Sequence, residues 1–274
     1  MPRPQVTRVH LIVGGFPPGT AAGHDMNYAR LRLLGTLEQN PTIYATVGND
    51  YCDLERWLPE TRMLITYVAG PYPTDEQNDH LRKWIEGGGK WLALHGTSGG
   101  KAARVGEHRR KMVKGAYHDT LGCFFLNHPP VRKFHVAIVD PDDPITQELP
   151  ESFGTSDELY MIELQHPEDT KILMTTELPT DPSPAGFGFV YDQDTSLLAD
   201  GKTRVLGYRR EMGRGGVTYI ALGHCHNPTN NVQPFVDATV EPTGKTPLTF
   251  RGSWELPQFD RLLRNGIEWG TSSG

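Results

Sequence analysis

From Arg8 to His95 the chain alternates short apolar runs with stretches of helical spacing, and that alternation narrows the fold more than any other feature. Arg8 to Gly15 reads as a buried strand, with Val9, Leu11, Ile12 and Val13 apolar, and it enters a Gly/Pro loop from Gly14 to Gly23. A helix is expected from Asp25 to Gln39, where Met26, Ala29, Leu33 and Leu37 recur at helical spacing. Ile43 to Val47 and Met63 to Val68 read as the second and third strands. Thr74-Asp75-Glu76-Gln77 has the spacing of a capping box, in which the Thr74 hydroxyl accepts from a first-turn N–H and Gln77 reaches back. The helix it opens turns Leu81, Trp84 and Ile85 to the core and stops at Gly87-Gly88-Gly89. Trp91 to Leu94, the fourth strand, runs straight into His95-Gly96. Strands alternating with helices through short connections specify a parallel sheet with right-handed crossovers. The prediction is one doubly wound, mostly parallel α/β domain over 1–274, with its core at about 8–270.

The second half is less regular. Lys133 to Val139, Lys171 to Thr175, Val205 to Tyr208 and Val217 to Leu222 read as strands, the last two separated by Gly213, Gly215 and Gly216. Thr180 to Ala199 and Asn227 to Arg251 read as long loops, and Asp200-Gly201 as a tight turn. Long loops in a compact domain usually carry function or a partner surface. Pro257 opens a last helix with Phe259, Leu262, Leu263 and Ile267 on its apolar face. The one basic run, Arg104 to Lys114, reads as the solvated face of a helix.

Apolar residues make up 37% of the chain, enough for a buried core. A net charge of −6 with interspersed signs points away from nucleic acid. Three scattered cysteines, Cys52, Cys123 and Cys225, form neither a disulfide framework nor a metal knuckle, and a reducing, cytoplasmic setting is expected. No apolar run has the length of a membrane span or a signal h-region, so no membrane partner is expected. There is no G-x-S-x-G elbow, no G-x-G-x-x-G, no Walker A loop and no complete calcium loop at Asp192.

Open parallel sheets bind ligands beyond the C-terminal ends of their strands. His24 and Asp25 follow the first strand, His95 and Gly96 the fourth, and His224 the run ending at Leu222. His128, and Asp157-Glu158-Leu159-Tyr160, fall in loops that periodicity does not place. Each residue has a plainer role available. Asp25 is a good helix N-cap, and Asp157 and Glu158 taken alone are solvated loop acids. His95, closing an apolar strand before a Gly-rich turn, is the strongest functional candidate, with His224 beside it. His10, His80, His108 and His166 are assigned to the surface or to structure.

Leu121-Gly122-Cys123-Phe124-Phe125-Leu126-Asn127-His128-Pro129 resembles the glycine, phenylalanine and His-Pro segment of ThuA-like (trehalose-utilisation) proteins. So do Pro144-Ile145-Thr146, Leu149-Pro150, Asp157-Glu158-Leu159-Tyr160, Gly215-Gly216-Val217 and the closing Gly266-Ile267-Glu268-Trp269. The chain departs from the pattern at Asp143, where the family usually has a histidine. The resemblance implies a flavodoxin-like sheet of the class I glutamine amidotransferase type, with His95 on the elbow that carries a cysteine in true amidotransferases. Without that thiol, glutamine hydrolysis through a thioester is not available. It also implies a place in carbohydrate utilisation, with a small-molecule sugar as partner. Many flavodoxin-like proteins of this size self-associate, which allows a homodimer.

Three functional readings stand open. In the first, an enzyme acts on a keto-sugar or glycoside by isomerisation or cleavage, with His95, His224 and Glu158 as acid and base groups. His24, Asp25, Gly96, His128, Asp157 and Tyr160 would then bind the sugar. In the second, His24, His128, Glu158 and His224 also hold a divalent transition metal such as zinc. In the third, the same pocket belongs to a non-catalytic sugar-binding or regulatory protein.

Overall fold

The computed structural model describes residues 6–15, 23–107, 109–230 and 233–272. The Gly/Pro loop expected after the first strand lies largely outside them, as does His108. Strands β1 (Thr7–Gly14), β2 (Ile43–Gly48), β3 (Met63–Val68) and β4 (Lys90–Leu94) alternate with helices α1 (Met26–Leu37), α2 (Leu54–Trp57) and α3 (Asp75–Glu86). β5 (Lys101–Val105), β6 (Arg109–Val113), α4 (Tyr117–Leu121), β7 (Cys123–Asn127), β8 (Arg132–Ile138), β9 (Ser152–Asp157) and β10 (Met161–Leu164) follow. β11 (Thr170–Glu177), β12 (Thr203–Met212), β13 (Gly215–Ile220) and α5 (Pro257–Thr271) complete the chain.

The central sheet has nine strands in the order β2-β1-β3-β4-β13-β12-β11-β8-β9. The first five pair in parallel and the remainder antiparallel, so that only β12 and β8 oppose the common direction. β3 is buried at every position because helices cover both sides of it, which explains its unbroken apolar sequence. One helical group is α1 with α5, the other α3 with α2 and α4. Both capping-box bonds of α3 are present, Gln77 N to Thr74 Oγ1 at 3.2 Å and Thr74 N to Gln77 Oε1 at 2.9 Å. Pro257 opens α5, where its missing N–H costs nothing. α5 lies on β4 so closely that a Cβ at Gly266 would come within 2.9 Å of the Leu92 side chain.

The basic run departs from its expected helix. β5 and β6 form a two-stranded hairpin, paired from Lys101 with Val113 to Val105 with Arg109. Gly106, at φ 69°, supplies the positive-φ turn that a helix would have no use for. β7, β9 and β10 were not visible as strands in the sequence; β7 and β10 pair with one another apart from the main sheet. The structural histidines are His10, on Thr46 at 2.7 Å, His80, on Glu55 at 2.8 Å, and His166, on Asp119 at 2.6 Å.

The Pro-Ile-Thr segment is an anchor. Asp143 is buried, takes Arg209 and Lys171 each at 3.0 Å, and accepts from Ile145 N at 3.1 Å. Asn265 of α5 donates to Ile145 O and Gln147 O at 3.0 and 2.8 Å, docking the last helix on this loop. Burial alone would raise the Asp143 carboxyl, but the Ile145 N–H, Lys171 and Arg209 outweigh it and hold its pKa below the usual range. A depressed folded-state pKa means that the stabilisation is present above the unfolded value of ~3.9 and is lost as pH falls through the folded value. Asp143→Asn is expected to lower stability by about 1–3 kcal/mol at neutral pH. In urea melts the gap from wild type should close below about pH 4; a gap that stays constant with pH would contradict this role.

Candidate active site

Four chain segments converge beyond the strand ends. His24 precedes α1, His95 follows β4, Glu158 follows β9 and His224 follows β13. The strands supplying the last three run in the common direction, which puts their ends on one edge. One ligand atom from each of His24, His95, Glu158 and His224 lies within 4.8 Å of the others, and all four side chains are buried.

His95 sits at φ 43°, a left-handed conformation that costs a non-glycine residue about 1–3 kcal/mol. The surroundings enforce it. Its Nδ1–H donates to Ala221 O at 2.7 Å, its carbonyl accepts from Tyr219 OH at 2.9 Å, and Tyr160 stacks on the ring with centroids 4.1 Å apart. With Nδ1 protonated, Nε2 presents a lone pair inward, 3.2 Å from Glu158 Oε2 but without hydrogen-bond geometry. A relay fixes His224 from behind. His226 Nε2–H donates to Pro247 O at 2.9 Å, so its Nδ1 accepts from His224 Nε2 at 2.9 Å. Nδ1 of His224 then faces Glu158 Oε2 at 3.3 Å and His24 Nδ1 at 3.2 Å.

Charge on these groups is tightly shared. Burial would raise the Glu158 carboxyl, but His128, His224 and His95 hold it well below the usual carboxylate range. Burial and the neighbouring His95 keep His24 neutral, with its pKa well below the ordinary histidine value. Burial alone would lower His224, but the charge of Glu158 and its hydrogen bond outweigh this and raise it. Some cation, a proton on His224 or a metal ion, therefore belongs beside the Glu158 carboxylate.

Asp157 and Asp25 differ from their expected sugar-binding roles. Asp157 is fully buried and accepts from Gly223 N at 2.9 Å, His224 N at 2.8 Å, Glu158 N at 2.8 Å and the Ser253 hydroxyl. It staples the end of β9 to the segment after β13. Asp25 caps α1 through Tyr28 N at 3.1 Å and pairs with Arg251 and Asn227, each at 2.8 Å. Asp25 thus takes the plainer of the roles open to it.

A cleft of about 1000 Å³ opens above the cluster. His24, Gly96, His128, Glu158 and Tyr160 reach it; His95 and His224 are shut behind them. His128 Nε2 stands 3.6 Å from Glu158 Oε1, the oxygen that also accepts from Gln233 Nε2. His128 is therefore outside the four-residue cluster, and His95 takes the place expected for it. Tyr72, Tyr117, Phe125, Phe187 and Phe189 supply aromatic wall. Two of the three phenylalanines, Phe187 and Phe189, come from the 180–199 segment, which is a wall of the cleft rather than a free surface loop. Asp181 holds it to Asn127 at 2.8 Å and to Tyr191 at 2.9 Å, and Arg204 takes Asp194 at 2.8 Å. His226, Gln233 and the two phenylalanines went unassigned in the sequence. His226 alone had a signal, its place in Gly223-His224-Cys225-His226.

Fold and site together define a mixed α/β protein with a buried histidine–carboxylate cluster beneath an aromatic cleft. The chain belongs to the ThuA family, described as trehalose utilisation, which matches residues 19–239. Its fold is similar to that of a ThuA-like protein from Bacteroides uniformis, with a TM-score of 0.62 and 15% identity, covering 100% of this chain and 94% of that one. A ThuA-like protein from Parabacteroides merdae is similar at a TM-score of 0.55 and 16% identity, covering 97% and 90%. No curated protein matches the sequence. Among the described residues no helix is long and apolar enough to cross a membrane.

Removing the Asp157 carboxylate would strand the buried N–H groups of Gly223 and His224. Asp157→Ala is expected to cost about 3 kcal/mol or more in chemical denaturation. A loss below about 1 kcal/mol would show that the staple is dispensable.

Proposed function

We propose that this chain is an enzyme of carbohydrate utilisation that takes a keto-sugar or glycoside into the aromatic cleft and moves a proton beside a carbonyl, giving isomerisation or cleavage. We propose further that His24, His95, His224 and Glu158 hold a divalent transition ion such as zinc, and that the sheet is flavodoxin-like, of the class I glutamine amidotransferase type. The observation that carries the metal is a set of distances. Ligands bonded to a tetrahedral zinc at about 2.0–2.1 Å lie about 3.3 Å from one another. The His24–His224, His95–Glu158 and His224–Glu158 separations are 3.2, 3.2 and 3.3 Å. The outer hydrogen bonds on His95 and His224 leave their inward nitrogens as lone-pair donors, the arrangement that ligating histidines use.

A bound divalent ion would supply Lewis-acid polarisation of a sugar carbonyl or hydroxyl. The chain's own residues do the remainder. His128 Nδ1–H donates to Pro129 O at 2.8 Å, so Nε2 faces the cleft as a proton acceptor. A proton taken from the sugar carbon onto Nε2 is returned to the neighbouring carbonyl carbon for isomerisation, as the hydroxyl proton passes to the carbonyl oxygen, or is given to a leaving oxygen for cleavage. Glu158 Oε1, 3.6 Å from that nitrogen, would stabilise the imidazolium formed once the proton is taken. Tyr72, Tyr160 and the phenylalanines give the apolar faces on which a pyranose stacks and exclude water from the reacting end. The family description points to glucose-based disaccharides as the first compounds to test.

The second reading, a non-catalytic sugar-binding or regulatory protein, uses the same cleft without turnover. Elemental analysis of protein purified without chelator should find close to one transition-metal ion per chain, lost in Glu158→Ala and His224→Ala. His128→Ala should keep the metal and lose roughly 10²–10⁴ in kcat on a keto-sugar. Wild type that neither carries metal nor takes up added zinc overturns the metal site. Binding of keto-sugars and glycosides without turnover favours the second reading.

A further inference from the structure

We infer that the sugar this cleft accepts carries an anionic group, a carboxylate or a phosphate, which the β5–β6 hairpin receives at Arg110. The inference deepens the sugar-processing reading above and rests on it.

The cations at the cleft are Lys101, Arg110 and Lys114, all on or next to the hairpin, against Asp75 and Glu158 as the lining acids. Glu158 is already engaged by His95, His128, His224 and Gln233. Lys114 is paired with Glu163 at 2.5 Å. Lys101 and Arg110 have no carboxylate partner among the described residues, although acids outnumber bases in the chain, 33 to 27. Their concentration at the cleft therefore does not follow from composition.

The hairpin also holds an unfavourable pair. Arg104 and Arg110 stand directly opposite one another in the β5–β6 register, and like charges in that position destabilise a sheet. Arg104 likewise lacks a carboxylate partner among the described residues. The arrangement persists because Arg110 is fixed by other means. Its carbonyl accepts from Val190 N at 2.8 Å, and its guanidinium carbon lies 5.0 Å from the centre of the Phe189 ring. A guanidinium placed over an aromatic ring keeps N–H groups available to a planar or tetrahedral anion. An anion there would relieve the Arg104–Arg110 repulsion. It would also orient the sugar, with its charged end at the exposed hairpin and its reacting end at the buried cluster.

Titration calorimetry on the full chain tests this with matched pairs, trehalose against trehalose 6-phosphate and D-glucose against D-glucuronate. At low salt the anionic member of at least one pair should bind roughly tenfold more tightly or better. The pair that shows the preference identifies phosphate or carboxylate. The ratio should shrink at about 0.5 M salt and fall toward one in Arg110→Gln. It should survive Lys111→Gln, which removes a cation paired with Asp192 outside the cleft. Equal affinity within both pairs, or a preference unchanged in Arg110→Gln, overturns the inference while neutral-sugar binding leaves the sugar-processing reading standing. Failure of every sugar, neutral and charged, to bind overturns both.

Discussion

A carboxylate at 3% exposure, as Glu158 is, costs several kcal/mol to bury unless charge and hydrogen-bond donors surround it. Four separate segments of the chain meet that cost. His95, after β4, and His224, after β13, face one oxygen, while His128, after β7, and Gln233 face the other. Gln233 donates to it and the three histidines surround it, so none of these four side chains can shift far without leaving the buried charge unbalanced. The tautomer relay through His226, the stacking of Tyr160 on His95 and the positive φ of His95 follow from that demand. The site is rigid because it is electrostatically closed, and the sheet edge supplies the fixed points on which it closes.

Asp157 connects this constraint to the fold. It precedes Glu158 in sequence and reaches across to the backbone after β13, so the strand that delivers the carboxylate is tied to the strand that delivers a histidine. The antiparallel extension β12-β11-β8-β9 brings β9 to the far edge of the sheet, and the Asp157 staple returns its end to the middle. Asp143 plays the matching part for α5. Its acid is buried between Arg209 and Lys171, and the loop becomes a structural joint.

The two long segments and the basic run share one purpose once placed. Phe187 and Phe189 come from the first long segment, Gln233 and Pro234 from the second, and Lys101 and Arg110 from the hairpin, and together they raise walls around a cluster that would otherwise face open solvent. The ion pair of buried Arg204 with half-buried Asp194 gives the first of these walls a definite position without a strand or helix. The reacting end of the cleft is thus made by the sheet edge and its upper part by the irregular segments.

Much of this was legible in the sequence. Apolar runs, the capping box and the triple glycine located β1 to β4, α1 and α3 but not the short α2, and the strand-end rule picked out His24, His95 and His224 because residues there are local consequences of strand termination. The pieces shared with ThuA-like proteins brought in Glu158, His128 and Tyr160. The basic run misled, because exposed cations cover a hairpin as readily as a helix and only Gly106 marked the turn. Asp25 and Asp157 each carry a binding reading and a plainer one in the sequence, because sequence cannot say whether a carboxylate meets solvent, a ligand or backbone N–H groups. The local order of strands and helices, set by side-chain periodicity and backbone preference, was determined by the sequence alone. Which histidines share the Glu158 carboxylate, which nitrogen each presents and which segments wall the cleft were decided by the tertiary structure, because each depends on distances between segments that lie up to 200 residues apart in the chain.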